Sequence, residues 1–109
     1  RRYSSWFIKE LIIKSEKEIQ TLILKFLKSI GCYTIKTVVS NRKGVVDIHG
    51  CYQGKYFAIE VKAENKDFRD VTKLQRYDLQ CVNDDGGLGF YTNNLEYVKI
   101  IFNYYMIEL

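Results

Sequence analysis

The chain contains no proline, so no rigid linker or proline-marked boundary divides its 109 residues. Its cysteines, Cys32, Cys51 and Cys81, are odd in number and widely spaced, without a C-x-x-C pair. That argues against a disulfide framework or a zinc knuckle and fits a reducing cytoplasm. No apolar run approaches the roughly 18 residues of a membrane span. The stretch "RRYSSWFIKELIIKSEKE" lacks the long apolar centre and small-residue cleavage site of a signal peptide. The expectation is a soluble intracellular protein with no membrane partner and no repeats.

What is present suits one compact core. Hydrophobic residues make up 47% of the chain and aromatics 15%, with nine Tyr, which argues against disorder. Lys and Arg number 17 against 13 Asp and Glu, a formal charge of +4. That charge fits a polyanionic partner and equally an ordinary soluble surface. Residues 1–109 read as a single domain, in which 1–14 form an N-terminal extension for core packing or dimerisation. Within it, "SSWFIKELIIK" fits a short helix or a strand.

The first clear element is "SEKEIQTLILKFLKSIG", where Ser15 and Glu18 form an S-x-x-E capping box and Gly31 stops the helix. Ile19, Leu22, Ile23, Phe26, Leu27 and Ile30 define its buried face. Next comes the strand-like "CYTIKTVV", then a basic turn, "SNRKG". "VVDIHGCY" and "KYFAIEVKA" read as a hairpin turning at Gln53 and Gly54. Alternation puts Phe57, Ile59, Val61 and Ala63 on one face of its second strand, and Ala58, Glu60, Lys62 and Glu64 on the other. "ENKDFRD" is a charged loop before a helix from about Thr72 to Asn83, with Val71, Leu74, Tyr77, Cys81 and Val82 inward. A strand, "LGFYTN", and a terminal helix capped by Asn93 or Asn94 complete an α/β order of helix, three strands, helix, strand, helix. The strand-helix-strand crossover implies a mixed sheet with helices on its faces.

Chemistry concentrates in "AIEVKA". If the hairpin register sets Asp47 beside Glu60, two carboxylates and the Lys62 ammonium share one patch of sheet. Such oxygen ligands suit Mg²⁺ or Mn²⁺, and a nearby lysine can orient water or stabilise charge on a phosphate. The alternative is that Glu60 and Lys62 are a solvated same-face pair contributing under about 1 kcal/mol. At 100° per residue Glu16 lies about 50° from the centre of the first helix's apolar face and Glu18 about 110° away, so Glu16 can turn toward the sheet. A first-turn acid favoured by the helix dipole is the alternative. Gln75 is explained by the T-x-x-Q capping box at Thr72, yet it also falls near the end of the strand bearing Glu60. His49 shares a strand face with Asp47 and reads as a structural hydrogen-bonder or a site residue. Arg42, Lys43, Lys66, Arg69, Lys73 and Arg76 flank the patch, as a phosphate-contacting rim or a plain solvated surface.

Taken in order, "SEKEIQTLILKFLKSIG", "KGVVDIHGCYQGKYFAIEVKA" and "TKLQRYDLQCVNDDGGLGFYT" resemble the PD-(D/E)xK nuclease superfamily. Within it, they are similar to the stand-alone VRR-NUC (virus-type replication-repair nuclease) domains of phages and bacteria. The resemblance implies a restriction-endonuclease-like fold and phosphodiester hydrolysis dependent on Mg²⁺ or Mn²⁺. It implies Asp47, Glu60 and the Val61 carbonyl as metal ligands, Glu16 as the helix carboxylate, Lys62 beside the nucleophilic water, and Gln75 as the glutamine of the next helix. By similarity to Holliday-junction resolvases it further implies a homodimer acting on branched DNA. The sequence departs from the family in carrying Val46 where a proline commonly precedes the aspartate. Its "SNRKG" turn also differs from the Ser- or Gly-rich turns of junction resolvases. A non-catalytic nucleic-acid-binding module of the same fold is the alternative function, and a purely structural domain with surface charge pairs a third.

Overall fold

The computed structural model describes residues 13–106. Apart from Ile13 and Lys14, the N-terminal extension lies outside the described residues. Helix α1 spans Glu16–Ser29 and opens with the expected capping box. Glu18 N–H donates to Ser15 Oγ at 3.1 Å, and Ser15 N–H to Glu18 Oε1 at 3.2 Å. Gly31, at φ +87°, ends the helical path. Strands β1 (Tyr33–Lys36), β2 (Ile48–Tyr52) and β3 (Lys55–Val61) follow, then helix α2 (Lys73–Asp84), strand β4 (Leu88–Thr92) and helix α3 (Leu95–Tyr105).

The sheet order is β1-β2-β3-β4, antiparallel except for the parallel β3–β4 pair that α2 connects. Gln53 and Gly54 turn the β2–β3 hairpin at φ 49° and 82°, the left-handed pair a two-residue loop demands. Ile48 pairs with Ile59, a register that one more step carries to Asp47 and Glu60. Phe57, Ile59 and Val61 face α1 and α3, in one core with Ile19, Ile23, Leu27, Ile48, Val98 and Phe102. Each such side chain contributes roughly 1.5–3 kcal/mol by leaving water. Ala58 faces the other way, toward Val46 and Leu79 beneath α2. The sheet is therefore sandwiched, and β3 is covered on both faces.

Three sequence expectations need correction. β1 stops at Lys36 rather than running through "CYTIKTVV": Thr37 N–H turns to the Asp47 carbonyl at 2.7 Å, and Val38 and Val39 are 84% and 89% exposed. Strand preference in valine yields where no neighbouring strand or core is offered. Along α2 the phase differs: Leu74 and Tyr77 are 52% and 66% exposed, while Asp78 and Leu79 are buried. An ion-paired carboxylate occupies the inner face where apolar periodicity placed Tyr77. Finally, "ENKDFRD" contains a 3₁₀ turn at Phe68–Asp70, capped by Asp67.

Gly50 is required by close approach. A Cβ there would strike the Tyr33 carbonyl oxygen across the β1–β2 pair and come 2.5 Å from the Phe57 ring. Gly50→Ala is expected to cost about 3 kcal/mol, read as a lowered denaturation midpoint; an unchanged midpoint would refute this packing.

Candidate metal centre

The site forms where the end of β3, the entry to β2 and the start of α1 meet. Asp47 lies one residue before β2, and its Oδ2 accepts the Val61 N–H at 2.8 Å, locking the carboxylate against β3. Glu60 alternates onto the α2 side and is 1% exposed. Glu16 is brought in from α1 because Glu64 N–H donates to the Lys14 carbonyl at 3.0 Å, fastening the helix entry to the chain leaving β3. One carboxylate oxygen from each of Glu16, Asp47 and Glu60 lies within 4.8 Å of the other two.

Lys62 completes the constellation. Its Nζ lies 3.2 Å from Glu60 Oε2 and donates to Gln75 Oε1 at 3.3 Å. The same Gln75 oxygen accepts the Thr72 N–H at 2.9 Å, so one residue serves as helix cap and lysine holder. With only 15% of its side chain exposed for Lys62 and 2% for Glu60, the reading as a solvated surface pair is overturned.

Electrostatics here oppose ionisation. Burial, reinforced by the Asp47 charge and only partly relieved by Lys62, pushes Glu60 up to about 7. Glu16 is raised as well, by burial first and then by Asp47. Glu60 Oε1 is buried with no hydrogen-bond partner among the described residues, a costly state for a carboxylate. Three converging carboxylates with an orphaned buried oxygen fit a hard divalent cation, and an all-oxygen donor set favours Mg²⁺ or Mn²⁺ over zinc. Glu16, Asp47 and Glu60 would hold it.

The other sequence candidates divide. His49 is drawn away from the carboxylates: Nε2 lies 3.0 Å from the Val46 carbonyl and therefore carries a proton, and Nδ1 lies 2.6 Å from the Tyr56 hydroxyl. It lines a separate cleft of about 340 Å³ with Arg42, Tyr56, Asp78 and Cys81. Arg42 is ion-paired to Asp78 at 2.7 Å, and Arg69 to Asp67 at 2.9 Å. Arg76 stacks 4.1 Å from the Phe68 ring centre and donates to the Phe68 carbonyl at 3.2 Å. Lys43, Lys66 and Lys73 are exposed.

Two polar residues escaped the sequence reading. Gln20, one turn after Glu16 and 7% exposed, donates from Nε2 to Glu16 Oε1 at 3.4 Å; its i, i+4 spacing from an acid was the available signal. Asp78 is 6% exposed, and its Oδ2 accepts the Val46 N–H at 3.3 Å. A proline at position 46 could not make that bond. Apolar periodicity carries no signal for a buried acid.

No protein-family model matches the sequence, and no curated protein matches it. Among solved structures, one described as a VRR_NUC domain aligns with a TM-score of 0.69 at 18% identity, covering 83% of this chain and 96% of that one. Among the described residues no helix is long and apolar enough to cross a membrane. With its three helices about a four-stranded mixed sheet, the described chain has the restriction-endonuclease-like α/β fold of a VRR_NUC domain.

Proposed function

We propose that the chain is a metal-dependent DNA endonuclease that hydrolyses phosphodiester bonds, selective for branched substrates such as Holliday junctions or flaps and acting as a homodimer. The observation that carries this reading is the meeting of Glu16, Asp47 and Glu60 oxygens within 4.8 Å, with Lys62 bonded at their edge. A bound Mg²⁺ or Mn²⁺ supplies positive charge against the scissile phosphate and lowers the pKa of water. Asp47 and Glu60 would be its principal ligands, joined by the Val61 carbonyl, and Glu16 would complete the set. Lys62 spends two hydrogens on Glu60 and Gln75, leaving a third to orient the attacking water. Gln75 fixes the ammonium's position. Lys43, Lys66, Arg69, Lys73 and Arg76 form the phosphate-contacting rim. One site per chain cuts one strand, so a symmetric junction calls for two copies.

The test is incubation of the protein with labelled duplex, single-stranded, flap and four-way-junction DNA, and with matching RNA, in Mg²⁺, Mn²⁺ or EDTA. Cleavage with either metal, fastest on branched DNA and absent in EDTA, is expected. Salt-sensitive binding without cleavage in any metal would favour the non-catalytic module instead.

A further inference from the structure

The segment 37–47 joins edge strand β1 to β2 and ends on Asp47, yet residues 38–43 along it are exposed. Thr37 N–H, donated to the Asp47 carbonyl, closes the base of this loop. Its far side is held by α2. Gly44, at φ +85°, sits so close that a Cβ there would come 2.5 Å from Leu74 Cβ and 2.9 Å from the Leu74 carbonyl. Asp78, on the same helix, bonds the loop twice: Oδ1 accepts Arg42 Nη2 at 2.7 Å and Oδ2 accepts Val46 N–H at 3.3 Å.

A carboxylate only 6% exposed beside Val46, Ala58 and Leu79 costs several kcal/mol unless paired. Both of its oxygens are spent on the loop that delivers Asp47. Gln75, one turn earlier on α2, holds Lys62. One helix thus carries the supports for both the metal-facing aspartate and the lysine.

We propose that Asp78 and Arg42 are positioning residues for Asp47, with α2 as the frame that sets the aspartate's loop against the lysine. Arg42 is accordingly a loop clamp and not a phosphate contact. This inference rests on the metal-centre reading. Loss of the clamp leaves the core packed and lets the Asp47 carboxylate wander from Val61 N–H.

The test compares the full chain with Arg42→Gln, a change at a largely exposed side chain, and with Asp78→Asn. Three quantities are measured: amide exchange without metal, Mn²⁺ affinity by calorimetry, and the salt dependence of DNA binding without divalent ions. Exchange at Thr37 and Val61, both bonded to Asp47, is expected to accelerate roughly tenfold in each variant while Ile59 keeps its wild-type rate. The Mn²⁺ dissociation constant should rise roughly tenfold, as when partners behind metal ligands are removed. The salt slope of Arg42→Gln should stay at the wild-type value. If Asp78→Asn fails to fold, Arg42→Gln decides alone. Wild-type exchange and Mn²⁺ affinity in Arg42→Gln, or a slope reduced by about one, would overturn the inference while leaving the metal centre standing. A wild-type chain that binds no Mn²⁺ would overturn the metal centre and the inference with it.

Discussion

Asp47→Asn is expected to remove metal-dependent cleavage, by roughly a thousandfold or more, without unfolding the protein. The asparagine oxygen can still accept the Val61 N–H that Asp47 Oδ2 accepts at 2.8 Å, so the joint between the β2 entry and β3 survives. The other carboxylate oxygen becomes an NH₂ group, which donates hydrogen bonds and ligates no cation. A catalytic cation contributes several kcal/mol of transition-state stabilisation, and about 4 kcal/mol is roughly a thousandfold in rate. DNA binding without metal should equal or exceed that of the wild type, because a negative charge near the phosphates has gone. Single-turnover cleavage, a melting curve and a binding isotherm check the three parts. Cleavage within tenfold of wild type would remove Asp47 from the chemistry.

Glu60→Gln is expected to stabilise the metal-free protein at pH 8 while abolishing its metal affinity. Burial, with Asp47 adding, raises Glu60 from its ordinary 4.5 to about 7. The sign follows from linkage: in this window the folded chain binds the proton more tightly than the unfolded chain. The stability it contributes is fully present below about 4.5 and is lost as pH rises through about 7. A shift of this size corresponds to on the order of 3 kcal/mol. Without metal the wild type should therefore melt higher at pH 5 than at pH 8, and Glu60→Gln should flatten that dependence and melt on the order of 10 °C higher at pH 8. Mn²⁺ should restore the wild type at pH 8 and do nothing for the variant. A lower melting temperature in Glu60→Gln at pH 8 would contradict the account of a strained, cation-seeking carboxylate.

Much of the frame was legible because local rules and global fold agree there. The capping boxes at Ser15 and Thr72 fixed the helix starts, and the Gln53-Gly54 turn fixed the register that sets Asp47 opposite Glu60. Helical phase sufficed to turn Glu16 toward Asp47 and Glu60 and to leave Glu18 to the cap. The inner face of α2 was legible only in part: Val71 is buried and Val82 packs on the core as expected, but Leu74 and Tyr77 mimic a buried stripe while Asp78 takes the buried place. A buried acid is stabilised by partners distant in sequence, here Arg42 and the Val46 N–H, and no short window contains them. For the same reason Arg42 read as rim charge, and His49 stood open until Tyr56 and the Val46 carbonyl accounted for both ring nitrogens.

If Glu16, Asp47 and Glu60 hold a divalent cation, crystals grown with Mn²⁺ at pH 8 will show it by anomalous diffraction. The expected peak lies between the three carboxylates, at coordination distance from both Asp47 and Glu60 and adjacent to Lys62. A protein that cleaves DNA with Mn²⁺ but shows its peak elsewhere, with these carboxylates unliganded, would contradict it.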